Sequence, residues 1–398
     1  MLHVGIDIAK HDHWVGAVGD DGRRAARPTP FRNSREGFGE LVAHIEGLGG
    51  DPASVQVGME ATGHCWPACF RALREAGYEA AAIDPMQTNA VRRLRNLGKV
   101  KTDAVDCELV AETVRIGAFE PSRLADDDLL SLRQLVRLRQ SMCESASDLK
   151  RQLLCVLDQV FPEYAALFSD PFGESSLALL RRWGTPDALA RARESTLAAE
   201  LRRASHGRLG EERARQVREA AKGTCGVKLA LGSFSLEVSM LVAQLDFISG
   251  QCDELEGRIG ALLREIEPLV LTVPGVGVLT GAQIVAEVGD VSRFRNAKAL
   301  VSYAGLNPSV SQSGRFEGSD AHITKQGSPY LRRALYLVAM SSLRVPGPFR
   351  DFYDKKRSEG KRHREALVAT ARKAAAVVYA VLRNQEPYDG SRVGARPA

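Results

Sequence analysis

The chain has 398 residues, 44% of them hydrophobic and 26% charged, a length too great for one ordinary core and one that predicts two or three domains. No run of eighteen apolar residues stands out and no basic stretch with an apolar signal core opens the sequence, so a cytoplasmic, nucleoid-associated protein with no membrane segment is expected. Lys+Arg number 54 against 49 Asp+Glu, a net charge of +5 so modest that the placement of the basic residues matters more than their total.

From the N-terminus, "HVGIDIAK", "HWVGAVGD" and "RAARPTPF" predict three short strands separated by turn signals such as "DDG". "SREGFGELVAHIEGL" has helical apolar spacing, "SVQVGME" reads as a strand, "WPACFRALREAGY" as a helix and "EAAAIDP" as another strand. Hairpin-linked strands followed by alternating helix and strand describe a mixed α/β sheet ending near residue 118, in which the first and fourth strands can be neighbours. "GKVKTDAVDCELVAE" opens a helix at Asp103 and sets Asp103 and Asp106 on one face of its first turn, where like charges repel. They follow directly on Lys99 and Lys101, and the pair points to a further cation that the sequence itself does not supply.

Neither Gly nor Pro interrupts the stretch from Asp126 to about Val160, which predicts one long helix, and Phe234 to Ile266 predicts a second. The two can pair as an antiparallel coiled-coil arm. Residues 165–225 between them are helical by pattern but broken by Pro and Gly. A compact C-terminal domain begins at "LTVPGVGVLTGAQIVAEVGD", where "VPGVGVLTGAQIV" has the pattern of a helix-hairpin-helix element. Its glycines Gly275 and Gly277 can offer backbone N–H groups to a phosphate, and a tight turn between helices fits the same pattern. After the irregular "GLNPSVSQSGRFEGSDAHITKQGSP" come helices at "YLRRALYLVAMSSLR" and "HREALVATARKAAAVVYAVLRN". The expected division is 1–120, 121–266 and 267–386, with a disordered Gly/Arg/Pro tail over 387–398.

Four acids stand at strand ends and helix starts: Asp7, Glu60, Asp103 and Asp106. Brought together they would repel unless a hard divalent cation, Mg²⁺ or Mn²⁺, lay among them. Two such ions about 4 Å apart stabilise the attacking and leaving oxygens of a phosphoryl displacement. Taken singly, each acid fits a turn or a helix-start charge as well. "GHCWPAC" groups His64, Cys65 and Cys69, but no second Cys/His pair completes a zinc site, and an odd total of 7 cysteines points to reduced thiols.

In the C-terminal loop Ser309, Ser311 and Ser313 alternate, so in extended backbone all three face one way and spacing does not choose among them. A Ser/Gly loop without chemistry is the competing reading, and His322 is a possible neighbour. Basic residues gather near both candidate sites. Arg92, Arg93, Arg95, Lys99 and Lys101 precede the acidic helix, and Arg315, Lys325, Arg332 and Arg333 lie in or after the serine loop. With Lys355, Lys356, Arg357, Lys361, Arg362 and Arg364 they suit contacts to a phosphate backbone, whereas aromatic residues are too sparse for base stacking.

Taken together, "GIDIAK", "MEATGHCW", "DPMQTNAVRR" and "KTDAVDCELVAE" resemble the DEDD domain of the insertion-sequence-110 family of transposases, which is similar in fold to RuvC and other RNase H-like nucleases. "VPGVGVLTGAQIVAEVGDVSRFRNAKALVSYAGLNP", "SGR" and "ITKQGSPYLRRALY" resemble that family's C-terminal transposase domain; the likeness covers both ends in order and skips about 165–230. It implies an α/β plus α chain: a RuvC-like mixed sheet, a helical arm and a mainly helical C-terminal domain. It also implies that Asp7, Glu60, Asp103 and Asp106 hold Mg²⁺ or Mn²⁺ and that Ser313 is a nucleophile linking covalently to DNA. The partners implied are donor and target double-stranded DNA, a structured noncoding bridge RNA, and further copies of the chain, a dimer assembling to a tetramer. The rival is a RuvC-like endonuclease in which water attacks and Ser313 is idle. An actin-like sugar kinase, suggested by "VGIDIAK", lacks glycines at Ile8 and Ala9, and a non-catalytic nucleic-acid adaptor has no use for four acids.

Overall fold

The computed structural model of the chain describes residues 1–60, 64–83, 85–95, 102–117, 127–308, 312–313, 316–317 and 322–392. They form two compact units, Met1–Asp126 with Asp290–Arg295, and Asp127–Gly289 with Asn296–Ala398.

The first unit is built on strands β1 (Leu2–Asp7), β2 (Asp12–Gly19) and β3 (Arg24–Arg32), helix α1 (Arg35–Gly47), β4 (Val55–Glu60), α2 (Trp66–Glu75), β5 (Glu79–Ile83), α3 (Pro85–Leu94) and α4 (Asp103–Arg115). The sheet order is β3-β2-β1-β4-β5; β1 pairs antiparallel with β2 and parallel with β4, so the first and fourth strands are neighbours as the sequence predicts. The period-2 alternation of a strand then sorts the side chains. Val4, Ile6, Val55, Val57 and Met59 share one core with Leu41 and Ile45 of α1 and Phe70 and Leu73 of α2. Their alternates, Gly5 and Asp7 on β1 and Gly58 and Glu60 on β4, occupy the opposite face.

Helix α4 lies on that opposite face because three glycines make room for it. Gly16, Gly5 and Gly58 are in register across β2, β1 and β4. A Cβ at Gly5 would stand 2.1 Å from the Ala111 nitrogen, one at Gly16 would stand 3.0 Å from Cys107 Sγ, and one at Gly58 would stand 2.4 Å from Val114 Cγ2. The glycine row is a shallow trough, and the helix backbone rests in it.

The second unit begins with α5 (Asp127–Val160) and includes α6 (Glu174–Trp183), α7 (Pro186–Arg191), α8 (Glu194–Ala204), α9 (Glu211–Gly223) and α10 (Leu231–Ile266). Helices α5 and α10 run side by side, antiparallel, with Arg139 Nε donating to Glu256 at 2.8 Å. The same register places Val136 opposite Ile259 and Leu132 opposite Leu263, all four of them buried. The stretch expected to be broken helix is a compact bundle: Tyr164, Leu179, Leu197, Leu201, Ala214 and Val217 share one core with Leu153, Leu157, Val238 and Val242 of the long helices. Helix α10 is long and apolar enough, at a mean hydropathy of 1.3, to pass the length and composition test of a membrane span. Val238, Val242 and Leu245 are buried in the shared core, while Leu236, Met240 and Phe247 on the same helix are exposed.

The chain continues through α11 (Val278–Val288), α12 (Ala297–Tyr303), a two-residue hairpin of β6 (Gln312–Ser313) and β7 (Phe316–Glu317), α13 (Pro329–Ser342), α14 (Pro348–Ser358) and α15 (His363–Asn384). The tail expected to be disordered from residue 387 is folded back as far as Arg392. Tyr388 stacks on Phe349 at 6.2 Å, and its backbone N–H donates to Thr272 Oγ1 at 2.8 Å. One aromatic anchor outweighs the Gly/Arg/Pro composition that surrounds it.

Candidate active site and nucleic-acid contacts

Asp7 ends β1 and Glu60 ends the neighbouring parallel β4, so both carboxylates leave the sheet at one edge and on the face that α4 covers. The orientation of α4 follows from its other end, where Arg115 Nη1 donates to the Asp20 carbonyl beside the start of β1 at 3.3 Å. Its N-terminal turn, carrying Asp103 and Asp106, therefore lies toward Asp7 and Glu60. Thr102 caps that turn, its hydroxyl accepting from the Val105 N–H at 3.3 Å. Burial chiefly, with the Glu108 and Asp7 charges adding, pushes the Cys107 thiol up to about 12.

Helix α3, which the sequence reading left unassigned, ties the two acids from different elements together. Thr88 Oγ1 donates to Glu60 Oε2 at 2.9 Å, and one turn on Arg92 donates to Asp106. Their spacing of i and i+4 in "PMQTNAVRR" is the signal that could have found them. The Arg92 and Asp106 side chains are 16% and 8% exposed, so the cation that the acid pair lacked locally comes from Arg92. Arg95 is likewise engaged, 2.7 Å from the buried Glu112. The Arg115 guanidinium chiefly, then Arg95, holds that carboxyl below its usual range. Of the arginines read as nucleic-acid contacts before the acidic helix, Arg93 alone is left exposed with no ion pair among the described residues.

Among the described residues no three His, Cys, Asp or Glu side chains stand close enough to hold one ion. The donor chemistry still fits a hard divalent cation: Asp7 and Glu60 on adjacent strand ends, Asp106 above them, and Asp103 exposed at the start of α4. Binding there requires Arg92 to yield Asp106. The zinc reading of His64, Cys65 and Cys69 has no support, since Cys69 faces the α2 core and burial pushes its thiol up to about 12.

In the second unit Ser313 is the last residue of β6, paired with Phe316 across the hairpin. Ser309, Ser311 and Arg315 lie outside the described residues, as do Lys99 and Lys101. Flanking residues 309–321, a bridge joins Pro308 to Ile323 and the Thr324 N–H donates to the Asn307 carbonyl at 2.8 Å. Lys325, in the left-handed region at φ 55°, is exposed just beyond it. Arg332 Nη1 donates to the Ala304 carbonyl at 3.1 Å, and Arg333 is exposed.

The two glycines read as phosphate donors have structural duties. A Cβ at Gly275 (φ +86°) would stand 2.5 Å from the Val338 carbonyl, so glycine is needed for the close approach of this turn to α13. The Gly277 N–H donates to Thr280 Oγ1 at 2.9 Å, which uses it to cap α11.

An ion pair built on a buried acid, which the sequence did not disclose, positions α13. Glu287, wholly buried on α11, accepts from Arg137 of α5 at 2.8 and 3.1 Å and from the Ser328 hydroxyl at 2.8 Å. Ser328 also caps α13, accepting from the Leu331 N–H at 3.1 Å, while the Arg137 guanidinium lies 4.6 Å from the Tyr330 ring centroid. A lone acid inside the apolar "GAQIVAEV" was the available signal, because such a charge needs a partner.

The mixed five-stranded sheet of the first unit, with α4 on one face, is the kind of sheet expected of a DEDD transposase domain. The comparisons agree. A model described as "Transposase", for the DEDD domain of IS110 elements, matches residues 4–162, and one described as "Transposase IS116/IS110/IS902 family" matches residues 267–354. The chain is 28% identical over 398 residues, 98% of this chain and 95% of the relative, to the insertion element IS110 uncharacterized 43.6 kDa protein of Streptomyces coelicolor. It is 28% identical to the insertion element IS900 uncharacterized 42 kDa protein of Mycobacterium paratuberculosis, with 96% of each covered. It is 24% identical to the pilin gene-inverting protein of Moraxella bovis, with 97% of each covered. The chain belongs to the IS110 family of insertion-element transposases.

Proposed function

We propose that this transposase cuts and rejoins DNA strands through two sets of residues: the acids Asp7, Glu60, Asp103 and Asp106, and the hydroxyl of Ser313. The observation that carries the reading is the placement of Asp7 and Glu60 on adjacent strand ends beneath the acidic first turn of α4. A divalent cation held by these acids, Mg²⁺ or Mn²⁺, would neutralise phosphate charge and polarise the phosphorus centre. Ser313 Oγ attacks the phosphorus, a new Oγ–P bond forms, and the bond from phosphorus to a sugar oxygen breaks. The serine proton is lost to a base, and the leaving sugar oxygen ends as a hydroxyl. Attack by the hydroxyl of another strand on the phosphoserine reverses these changes and joins the DNA, so no external energy source is needed. The pilin gene-inverting relatives fit a recombinase of this kind.

A structured RNA that pairs with donor and target is the proposed source of sequence choice, and double-stranded DNA is the substrate. The assembly proposed is a homo-oligomer, a dimer pairing into a tetramer. Leu236, Met240 and Phe247, exposed by 61%, 57% and 66% along α10, support association through the long helices. The test is denaturing electrophoresis of the full-length protein after incubation with its own element ends and Mg²⁺. A covalent protein–DNA adduct is expected with the native chain and is absent in Ser313→Ala. Strand joining that survives in Ser313→Ala favours the RuvC-like reading, in which water is the nucleophile; full activity in Asp7→Asn removes the acid site.

A further inference from the structure

Beside the root of the serine loop lies a cavity of 360 Å³ whose lining includes Leu306, Ile323, Arg332, Arg333, Tyr336 and Arg364. Leu306 and Ile323 belong to the two chain segments that the Pro308–Ile323 bridge brings together. Arg332, Arg333 and Tyr336 come from successive turns of α13, and Arg364 from the first turn of α15. Among the described residues none of the three guanidiniums has a carboxylate partner, and Arg332 spends one N–H on the Ala304 carbonyl. Arg181, by contrast, is paired with both Glu174 and Asp246.

Three unneutralised cations around one concavity repel one another and raise a positive potential that an anion relieves. Guanidinium forks match the paired oxygens of a phosphate, and the apolar floor of Leu306 and Ile323 gives a sugar face something to rest on. The volume admits one phosphate with its flanking sugars and excludes a duplex cross-section. We propose that this cavity binds a single phosphodiester of the DNA strand on which the Ser313 loop acts, with Arg333 and Arg364 as the adjustable donors and Arg332 as the fixed one. The proposal rests on the DNA-joining reading above, and names where that strand is gripped.

The test is fluorescence anisotropy of the full-length protein with a labelled DNA duplex, and with RNA of the same sequence, between 50 and 200 mM salt. The Arg333→Gln/Arg364→Gln double variant is expected to reduce the slope of log affinity against log salt by about 0.9 on duplex DNA, the loss of one phosphate contact, and each single variant by less. Their melting temperatures are expected to stay at the native value, since both side chains are exposed and unpaired. Lys228→Gln, which removes an equal charge far from the cavity in sequence, is expected to leave the slope unchanged. An unchanged slope in the Arg333→Gln/Arg364→Gln double variant overturns the site. So does an equal loss in Lys228→Gln, which would mean general attraction only, or a loss seen with RNA alone, which would assign the cavity to the RNA. Because the readout is binding, it is independent of Ser313: adduct formation that persists in Ser313→Ala refutes the nucleophile and leaves the cavity standing.

Discussion

Replacing Gly5 by Ala tests whether the glycine trough positions the acidic helix. The added Cβ would stand 2.1 Å from the Ala111 nitrogen and 2.2 Å from the Cys107 carbonyl oxygen, both backbone atoms of α4 that no rotamer change can move. Carbon contacts settle at about 3.5–4.0 Å, so α4 has to retreat by roughly 1.4 Å or more. Overpacking of this kind costs about 1–3 kcal/mol, offset by about 0.4–1 kcal/mol from the stiffer unfolded chain. A net loss of about 1–2 kcal/mol lowers the melting temperature of a unit of this size by roughly 3–10 °C. The larger effect is on chemistry. Asp103 and Asp106 move with the helix while Asp7 and Glu60 stay on the sheet, and a misplacement of about 1 Å costs on the order of 100-fold in rate. Thermal unfolding by circular dichroism and a strand-joining assay measure the two effects. Gly39→Ala is the control: Gly39 is exposed within α1, with nothing within 4 Å of the added carbon, and is expected to gain about 0.5–1 kcal/mol. A Gly5→Ala protein that melts with the native chain and joins DNA at the native rate would show that α4 does not depend on the trough.

Three further outcomes follow from named contacts. Arg92→Gln frees the buried Asp106 from its guanidinium partner, so added Mg²⁺ is expected to raise the melting temperature of this variant by more than that of the native chain; equal shifts in a thermal titration would mean that Arg92 and the cation do not compete. Glu287→Gln removes the buried carboxylate that the half-exposed Arg137 and Ser328 donate to and is expected to cost about 1–3 kcal/mol in urea unfolding, against less than 1 kcal/mol for the exposed Glu254→Gln. A Glu287→Gln protein of native stability would contradict this pairing. Cys143 and Cys252 are half-buried and in mutual contact one turn from the Arg139–Glu256 pair. Mild oxidation is therefore expected to form an intrachain disulfide between them, read by peptide mass spectrometry. Failure to form it, with other thiols oxidised, would refute the antiparallel register of α5 and α10.

Local patterning carried much of this protein on its own. Strand alternation and turn residues located β1 to β5, and unbroken helical spacing located α4 and the long helices α5 and α10, because a period of 2 or 3.6 is set by covalent geometry within a few residues. The same alternation put Asp7 in phase with Gly5 and Glu60 in phase with Gly58, so the shared face of the two acids was already written in β1 and β4. What no local pattern holds is which residues meet across elements. Gly16, Gly5 and Gly58 become a trough for α4 only once three strands are in register, and Arg92 becomes the counter-charge of Asp106 only once α3 crosses the edge of the sheet. Arg137 finds Glu287 across 150 positions, and Arg332, Arg333 and Arg364 surround one cavity only when α13 and α15 pack. Composition misled at Tyr388, where a single aromatic ring with an apolar partner outweighed the polar residues around it. Tertiary structure decided these pairings because the free energy of a buried charge or a close backbone approach depends on its neighbours in space, and chain separation does not encode them.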